Sequence, residues 1–541
     1  MKPEKILCVI LLLQGLLLFT NLPDLPHYFW DDGINMELSW NLANGEMRLY
    51  SIIYPFIPHP PFFFAVVGLF LKIFGDEVLV LRSITAFQSI LTTIFLYYTG
   101  KTLSGPKVGL TASLFYAVYP ENIYWTRVGF ANSQLMLLSI IALYFFVRGG
   151  RLRILSYLSV SLALLTEFTA VALLISVLGI LLVRGERREA FKAFYISISL
   201  PAITYILILF STAGGALLFD LKYALERFAP TIVIFALSFG FIALIYSSRR
   251  RLGIFLKAYY DKLLVIVVKD IKFTFGKYSN WILRQSRFNL VVLINLILAV
   301  RTLTPYSDDL LFKGYDIIFF DYYWIGILGL FLIKDVAPLY FFTPLFLLTL
   351  AIGRTDHLIL PAYPYFALGL SVLLLRVYSK LVEFFGTNRN RIVTLFILVY
   401  YPFAILFIYD VNSFVLGRGL EREDLEGLEE ITKYLNANTQ QDDVVLSTSH
   451  ISRQINAQGT ELFQGLAAEG ISVSYFGRKL PASRFAYNSS YLTAKYIVLP
   501  EGVLDWIYKE ESMTEFSTQL DKWPVGYRRG DFVFYRNPNL K

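Results

Sequence analysis

Runs of roughly 15–20 apolar residues, broken by short polar or charged stretches, recur from the N-terminus to about residue 410. Such runs are too long for strands. In hydrocarbon a segment must also satisfy its own backbone polar groups, so each run predicts a spanning helix. The predicted spans are 6–22, 79–100, 107–120, 132–147, 154–166, 168–183, 193–211, 230–246, 289–303, 322–333, 336–352, 359–375 and 392–410, about 13 in all. The first follows Lys2 and Lys5 and has no small-residue cleavage site after it, so it reads as a retained anchor rather than a signal peptide. From about residue 417 the pattern changes. LEREDLEGLEEITKYLNANTQQDDVVLSTSH reads as a charged helix, a polar turn and a buried strand, with further strands at KYIVLPEG and DFVFYRN. The predicted fold is mostly α: a polytopic membrane domain over 1–410, with a long first loop at 23–78, and a small α/β domain over 411–541.

Composition narrows the class. Hydrophobic residues make up 56% of the 541-residue chain and charged residues only 17%, against about a quarter charged in soluble domains. A soluble enzyme, a disordered chain and a coiled coil are excluded. One cysteine, Cys8, excludes a disulfide scaffold. The net charge of +8 is not a nucleic-acid signal, because loop 247–287 holds ten Lys or Arg against two Asp and accounts for +8 alone. That loop reads as a positive-inside determinant lying on anionic lipid.

Segment 60–74 (PFFFAVVGLFLKIFG) is apolar as well, and loop charge decides its place. With 60–74 set aside as an interfacial or re-entrant piece, the basic loops 101–107, 148–153, 184–192, 247–287 and 376–391 share one side. Loops 23–59 (−4) and 304–321 (−3) share the other. The positive-inside rule then puts the N-terminus in the cytoplasm and the acidic loops and C-terminal domain outside.

The first outer loop carries the most chemistry. In WDDGINMELSWNLANG, Asp31 and Asp32 open a short predicted helix, and Asp31, Asn35, Leu38 and Leu42 share a face. Carboxylates at a membrane surface are costly unless used, paired or wet. Asp31 suits a general base for an incoming hydroxyl; a helix N-cap with a solvated acidic neighbour is the plainer alternative.

These residues resemble the first-loop motif of the GT-C membrane glycosyltransferases that use polyprenyl-phosphate sugars, a group including protein O-mannosyltransferases and lipid A aminoarabinose transferases. Asp31 falls on the motif's acidic position, fourteen residues before Gly45, and IPHPPFFFAVVGLFLKIFG is similar to the segment that follows. Arg82, Gly109 and Pro120 continue the likeness. In TRVGFANSQLML, Arg127 and Gly129 match a second-loop pattern, while Asn132 and Gln134 stand where oligosaccharyltransferase relatives carry acids. Amides ligate a hard cation weakly. A divalent cation (Mg or Mn) is therefore the one cofactor left open, with Asn132 and Asp32 as its candidate ligands. The WWDYG signature of oligosaccharyltransferases is absent, which argues against transfer of a whole oligosaccharide to Asn. GRTDHLILPAYPYFALGLS at 353–371 resembles a basic segment before a Pro-bearing span, and places Arg354 and His357 for a lipid phosphate; snorkelling at a helix end is the alternative.

The resemblance implies an inverting monosaccharide transferase of the cell membrane. Its donor is a polyprenyl-phosphate sugar and its acceptor a hydroxyl or amine on a glycan, lipid or protein. Asp31 and Asp32 are the catalytic candidates. Arg354, His357, His59 and Arg127 are the candidates for the donor phosphate. Arg82, Asn132, Gln134, Asp308 and Asp309 are candidate pocket or acceptor residues. Glu167, in LLTEFTA, stands where relatives often carry a basic residue and is either a pocket acid or an outer-turn residue. His27 reads as an interface residue, and Asn488 begins a glycosylation-type sequon. A polyprenyl-lipid flippase would share the spans and pocket charges, but transporters often show paired repeats, and this chain shows none. A non-catalytic scaffold is the third reading. No nucleic-acid partner is expected.

Overall fold

The computed structural model describes residues 2–23, 30–45, 60–211, 218, 326–352, 357–385, 423–452, 454–471, 487–529 and 531–540. Its first part is helical: α1 (Pro3–Phe19), α2 (Trp30–Ala43), α3 (Pro61–Phe74), α4 (Val78–Ser104), α5 (Pro106–Val118), α6 (Pro120–Thr126), α7 (Ala131–Arg148), α8 (Arg153–Leu164), α9 (Val171–Val183), α10 (Arg187–Leu209), α11 (Gly326–Leu330), α12 (Ala337–Ile352) and α13 (Tyr363–Phe385). Among the described residues, four helical stretches are long and apolar enough to cross a bilayer: Val78–Ser104, Ala131–Arg148, Arg187–Leu209 and His357–Ser379. Prolines start α3, α5 and α6, where the missing N–H costs no helical bond. The predicted spans 230–246, 289–303 and 392–410 lie outside the described residues.

The helices pack through small residues, as helices in lipid must, since apolar side chains gain little there by leaving the tails. Gly326 and Gly329 of α11 sit directly on the α13 backbone at Phe366 and Gly369. Buried polar side chains bond across helices: Gln14 Nε2 donates to Ser89 Oγ (3.1 Å), and Thr93 Oγ1 donates to Gln14 Oε1 (2.6 Å). One end of this bundle gathers basic side chains, where Arg153 pairs with Glu186, and Arg184 bonds Asp335 at 3.1 Å. Arg153 and Arg184 both lie over the Phe146 ring.

The opposite end carries α2. Segment 60–74 forms α3, whose 14 residues reach about 21 Å at ~1.5 Å per residue, short of a bilayer core. The Phe62 N–H donates to Leu165 O (2.7 Å) at the end of α8. Phe63, Phe64, Val67 and Leu71 are buried in a cluster with Ile34 and Leu38 of α2, while Leu69, Ile73 and Phe74 are exposed. Gly68 lies against the Ser39 carbonyl, where any Cβ would clash. Thus α3 starts beside the end of α8 and leads within four residues into the α4 end that meets α2.

The C-terminal part contains α14 (Glu423–Asn438), α15 (Ser449–Ser452), α16 (Leu462–Glu469), α17 (Glu501–Lys509) and α18 (Thr514–Leu520) around a five-stranded sheet. The strands are β1 (Val444–Ser447), β2 (Gln458–Glu461), β3 (Tyr496–Pro500), β4 (Val525–Arg529) and β5 (Phe532–Arg536), ordered β2-β1-β3-β5-β4. The β2, β1 and β3 neighbours are parallel, and β5 is antiparallel to β3 and β4. Alternate residues face opposite layers. Leu446, Ile497, Leu499 and Val533 pack under α16, α17 and α18, and Val445, Tyr496, Val498 and Phe534 under α14. Strands buried on both faces read as the continuous apolar runs seen in the sequence. The short strands β2 (QGTE) and β4 (VGYRR) lack that signal and were not predicted. The predicted boundary at 410/411 lies outside the described residues. This domain rests on α2: α15 packs against it, and Phe463 belongs both to the sheet domain's core and to the α2–α3 cluster.

Candidate active site

The two carboxylates that open α2 have different environments. Asp32 is fully buried and pairs with fully buried Arg82, whose Nη2 and Nε lie 2.7 and 3.2 Å from Oδ2. Oδ1 accepts the Gly129 N–H at 2.7 Å. Arg82 Nη1 also donates to the carbonyls of Leu22 (3.1 Å) and Pro23 (3.2 Å). The pair therefore joins the end of α1, the start of α2, α4 and the turn before α7. Asn35, one turn along α2, donates from Nδ2 to Gly129 O at 2.7 Å. Asp31 is partly exposed. This corrects the expectation that both acids are catalytic: Asp32 has no oxygen to offer a substrate.

Two further expectations change. Arg127 is fully buried, and its Nη1 and Nη2 donate to the carbonyls of Leu17 (3.0 Å) and Thr20 (2.6 Å). It caps the last turn of α1, where carbonyls lack helical partners, and is not placed for a lipid phosphate. Arg82 is committed to Asp32 and is not an acceptor-binding group. Gln134 forms a relay, accepting from Gln88 Nε2 (3.0 Å) and donating to Thr166 Oγ1 (3.0 Å). Asn132 is 5% exposed in the first turn of α7. These residues do not fit a divalent cation. Asp32 is neutralised by a guanidinium, Asn132 is uncharged, and no group of three potential ligands occurs among the described residues.

The turn at 127–131 passes from α2 to a second set of residues. Phe130, next to Gly129, stacks flat on His357, with ring centroids 3.9 Å apart and planes 3° apart. Trp125 of α6 lies 5.9 Å from the same imidazole. Tyr363 packs edge-on to Tyr119 at 4.8 Å and donates its hydroxyl to Glu121 Oε2 at 2.9 Å. Burial raises the Glu121 carboxyl above its ordinary value, against that hydrogen bond.

Glu167 occupies the turn between α8 and α9, two residues past Leu165, whose carbonyl accepts the Phe62 N–H at the start of α3. It is partly exposed but deeply surrounded. Desolvation pushes its carboxyl up to about 7, against the Phe168 N–H and the field of His357. Sequence reasoning raised His357 and Glu167 separately and missed Glu121, Trp125 and Phe130, since their partners arrive from more than two hundred residues away. Arg354, His59, His27, Asp308 and Asp309 lie outside the described residues.

Residues 58–214 match the sequence profile of the dolichyl-phosphate-mannose-protein mannosyltransferase family. The oligosaccharyltransferase of Archaeoglobus fulgidus, in its apo form, superposes with a TM-score of 0.53 at 14% identity, over 100% of this chain and 75% of that one. The same organism's AglB, in complex with an inhibitory peptide and a dolichol-phosphate, gives 0.50 at 14% identity, over 99% and 74%. ArnT from Cupriavidus metallidurans, bound to undecaprenyl phosphate, gives 0.50 at 12% identity, over 99% and 98%. No curated protein matches the sequence. At these identities the structural likeness is one of fold, and the matched profile covers under a third of the chain.

Proposed function

We propose that this protein is an integral-membrane glycosyltransferase that moves a monosaccharide from a polyprenyl-phosphate donor to a hydroxyl or amine acceptor on the outer face, with inversion. The observation that carries the reading is the division of labour between Asp31 and Asp32. Burying a paired carboxylate fixes the start of α2 rigidly, which leaves the next-door carboxylate at the surface in a set position. Asp31 accepts the acceptor's proton as its oxygen or nitrogen attacks the anomeric carbon. The bond from that carbon to the phosphate oxygen breaks, and the lipid phosphate leaves with the electron pair. His357 and Arg354, from the basic stretch that precedes the Pro-bearing span in the sequence, stabilise the charge that grows on the leaving phosphate. Support comes from the fold, from the matched profile over 58–214 and from the lipid phosphates that AglB and ArnT bind.

The test is donor consumption in proteoliposomes with labelled polyprenyl-phosphate sugar. Wild type releases free lipid phosphate. Asp31→Asn loses at least a hundredfold in turnover while still binding donor. Full turnover by that variant overturns the base assignment, and sugar-lipid crossing the bilayer unconsumed identifies a flippase instead.

A further inference from the structure

We propose that the basic end of the helical bundle holds a site for an anionic phospholipid, whose phosphodiester headgroup sits in a recess between the α7–α8 and α9–α10 turns. The recess is far from the proposed transfer site. Helix α7 runs from the Gly129 turn beside α2 to the Gly149 turn beside the recess, and its 18 residues span about 27 Å at ~1.5 Å per residue. The inference therefore does not depend on the transferase reading.

Two tight turns build the recess. The chain leaves α7 through Gly149 and Gly150, at φ 70° and 57°, and leaves α9 through Gly185, at φ 76°. The Gly185 N–H donates to Leu182 O (3.0 Å) and the Glu186 N–H to Leu181 O (2.8 Å), which closes α9 and lets α10 begin at Arg187. Arg153 pairs with Glu186 across the two turns, and the Tyr157 hydroxyl of α8 donates to Glu189 Oε1 at 2.9 Å. Between them is an open recess of about 800 Å³, within the range of small-ligand sites. Gly150 and Gly185 line it without side chains to fill it.

Charge and the neighbouring surface choose the ligand. Arg151, Arg153, Arg187, Arg188 and Lys192 line the recess. Its two carboxylates are used internally: Glu186 by Arg153, and Glu189 by Tyr157 and, at 3.5 Å, by Lys192. Arg151, Arg187 and Arg188 are exposed, and among the described residues no acid pairs with them. Guanidinium groups grip phosphate through paired N–H donors. The surface next to these arginines is apolar. Arg188, Phe191 and Tyr195 follow one another at helical spacing on α10, with Phe191 and Tyr195 exposed and their rings 4.6 Å apart. Leu155 and Leu158 of α8 are exposed as well. Of the four long apolar stretches, the one in α10 is the least buried, 22% against 50% or more, so its outer face meets acyl chains. A phospholipid uses both the cations and this apolar strip; a soluble phosphate uses the cations alone. Basic pockets between spanning helices hold anionic headgroups in this way.

The test uses the full-length protein in detergent with three probes: dioleoyl phosphatidylglycerol, dioleoyl phosphatidylcholine and glycerol phosphate. Wild type is expected to bind the anionic lipid about tenfold or more tightly than the zwitterionic one, and to melt at a higher temperature in its presence. The double variant Arg187→Gln/Arg188→Gln is expected to lose that preference, and Arg151→Gln, on the facing turn, to lose part of it. Without lipid both should melt as wild type does; a lowered midpoint makes these arginines structural and overturns the proposal. Lys257→Gln/Lys262→Gln removes the same charge from loop 247–287 and should keep the preference. Equal loss in that control reports general attraction to anionic lipid and overturns the site, as does a preference retained by the recess variants. Glycerol phosphate binding as tightly as the lipid makes this a soluble-anion site and overturns the lipid assignment. Loss of polyprenyl-phosphate binding in the double variant gives the recess to the donor and overturns the proposal too.

Discussion

Asp31 and Asp32 are adjacent in sequence and identical in chemistry, yet one is buried in an ion pair and the other is partly exposed. Helical geometry turns neighbours about 100° apart, so one faces the bundle and the other does not. The buried Asp32–Arg82 pair makes replacement of either partner alone costly. Removing one charge strands the other in a dry interior, at a cost of about 3–5 kcal/mol. Asp32→Asn is expected to lower the thermal midpoint of the detergent-solubilised protein by several degrees and to abolish turnover. Asp31→Asn, under the proposed base role, is expected to lose turnover with an unchanged midpoint. Equal melting of wild type and Asp32→Asn would show that the pair does not hold α2.

At the scale of elements, α2 and α3 act as one unit. The sequence pattern placed 60–74 beside the membrane from loop charge alone, and this segment forms the 14-residue helix α3, packed on α2. What the pattern could not supply was the close approach at Gly68, where the α2 backbone at Ser39 leaves no room for a side chain. Gly68→Leu forces the helices apart and should destabilise the protein by at least about 1–3 kcal/mol. Faster proteolysis within the first loop, relative to wild type, is the measurement; identical cleavage rates would refute the packing argument. Elements outside the reach of sequence were those whose own composition is unremarkable. The strands β2 and β4 are short and polar, and they pair only because β1 and β5 offer ladder edges.

For the whole molecule, the sheet domain and the helical domain meet at α2. Glu461 ends β2 and caps α16, donating nothing and accepting the Phe463 N–H at 2.8 Å. Burial pushes its carboxyl up to about 8, against its backbone hydrogen bonds. The folded protein therefore holds a proton that the unfolded chain releases near 4.5. This stabilisation is fully present below the unfolded value and is lost as pH rises through about 8. Within that window the slope reaches about 1.4 kcal/mol per pH unit. The melting temperature should fall with pH there, and Glu461→Gln should flatten the fall. A slope identical in wild type and variant would mean another group titrates.

Much of this architecture was legible in the chain alone, because a bilayer enforces it. Apolar length and the continuous apolar runs of buried strands both follow from the solvent each segment meets. The helical fold with its small α/β domain could therefore be read directly. The first loop could also be read as the place where acids concentrate. Which acid does what could not. Sequence treats Asp32, Arg82 and Arg127 as available charges. Only the tertiary structure revealed that Arg127 closes the end of α1 and that Arg82 and Asp32 cancel each other. Such choices depend on which carbonyls and carboxylates meet across a hundred residues, and no local pattern records those distances.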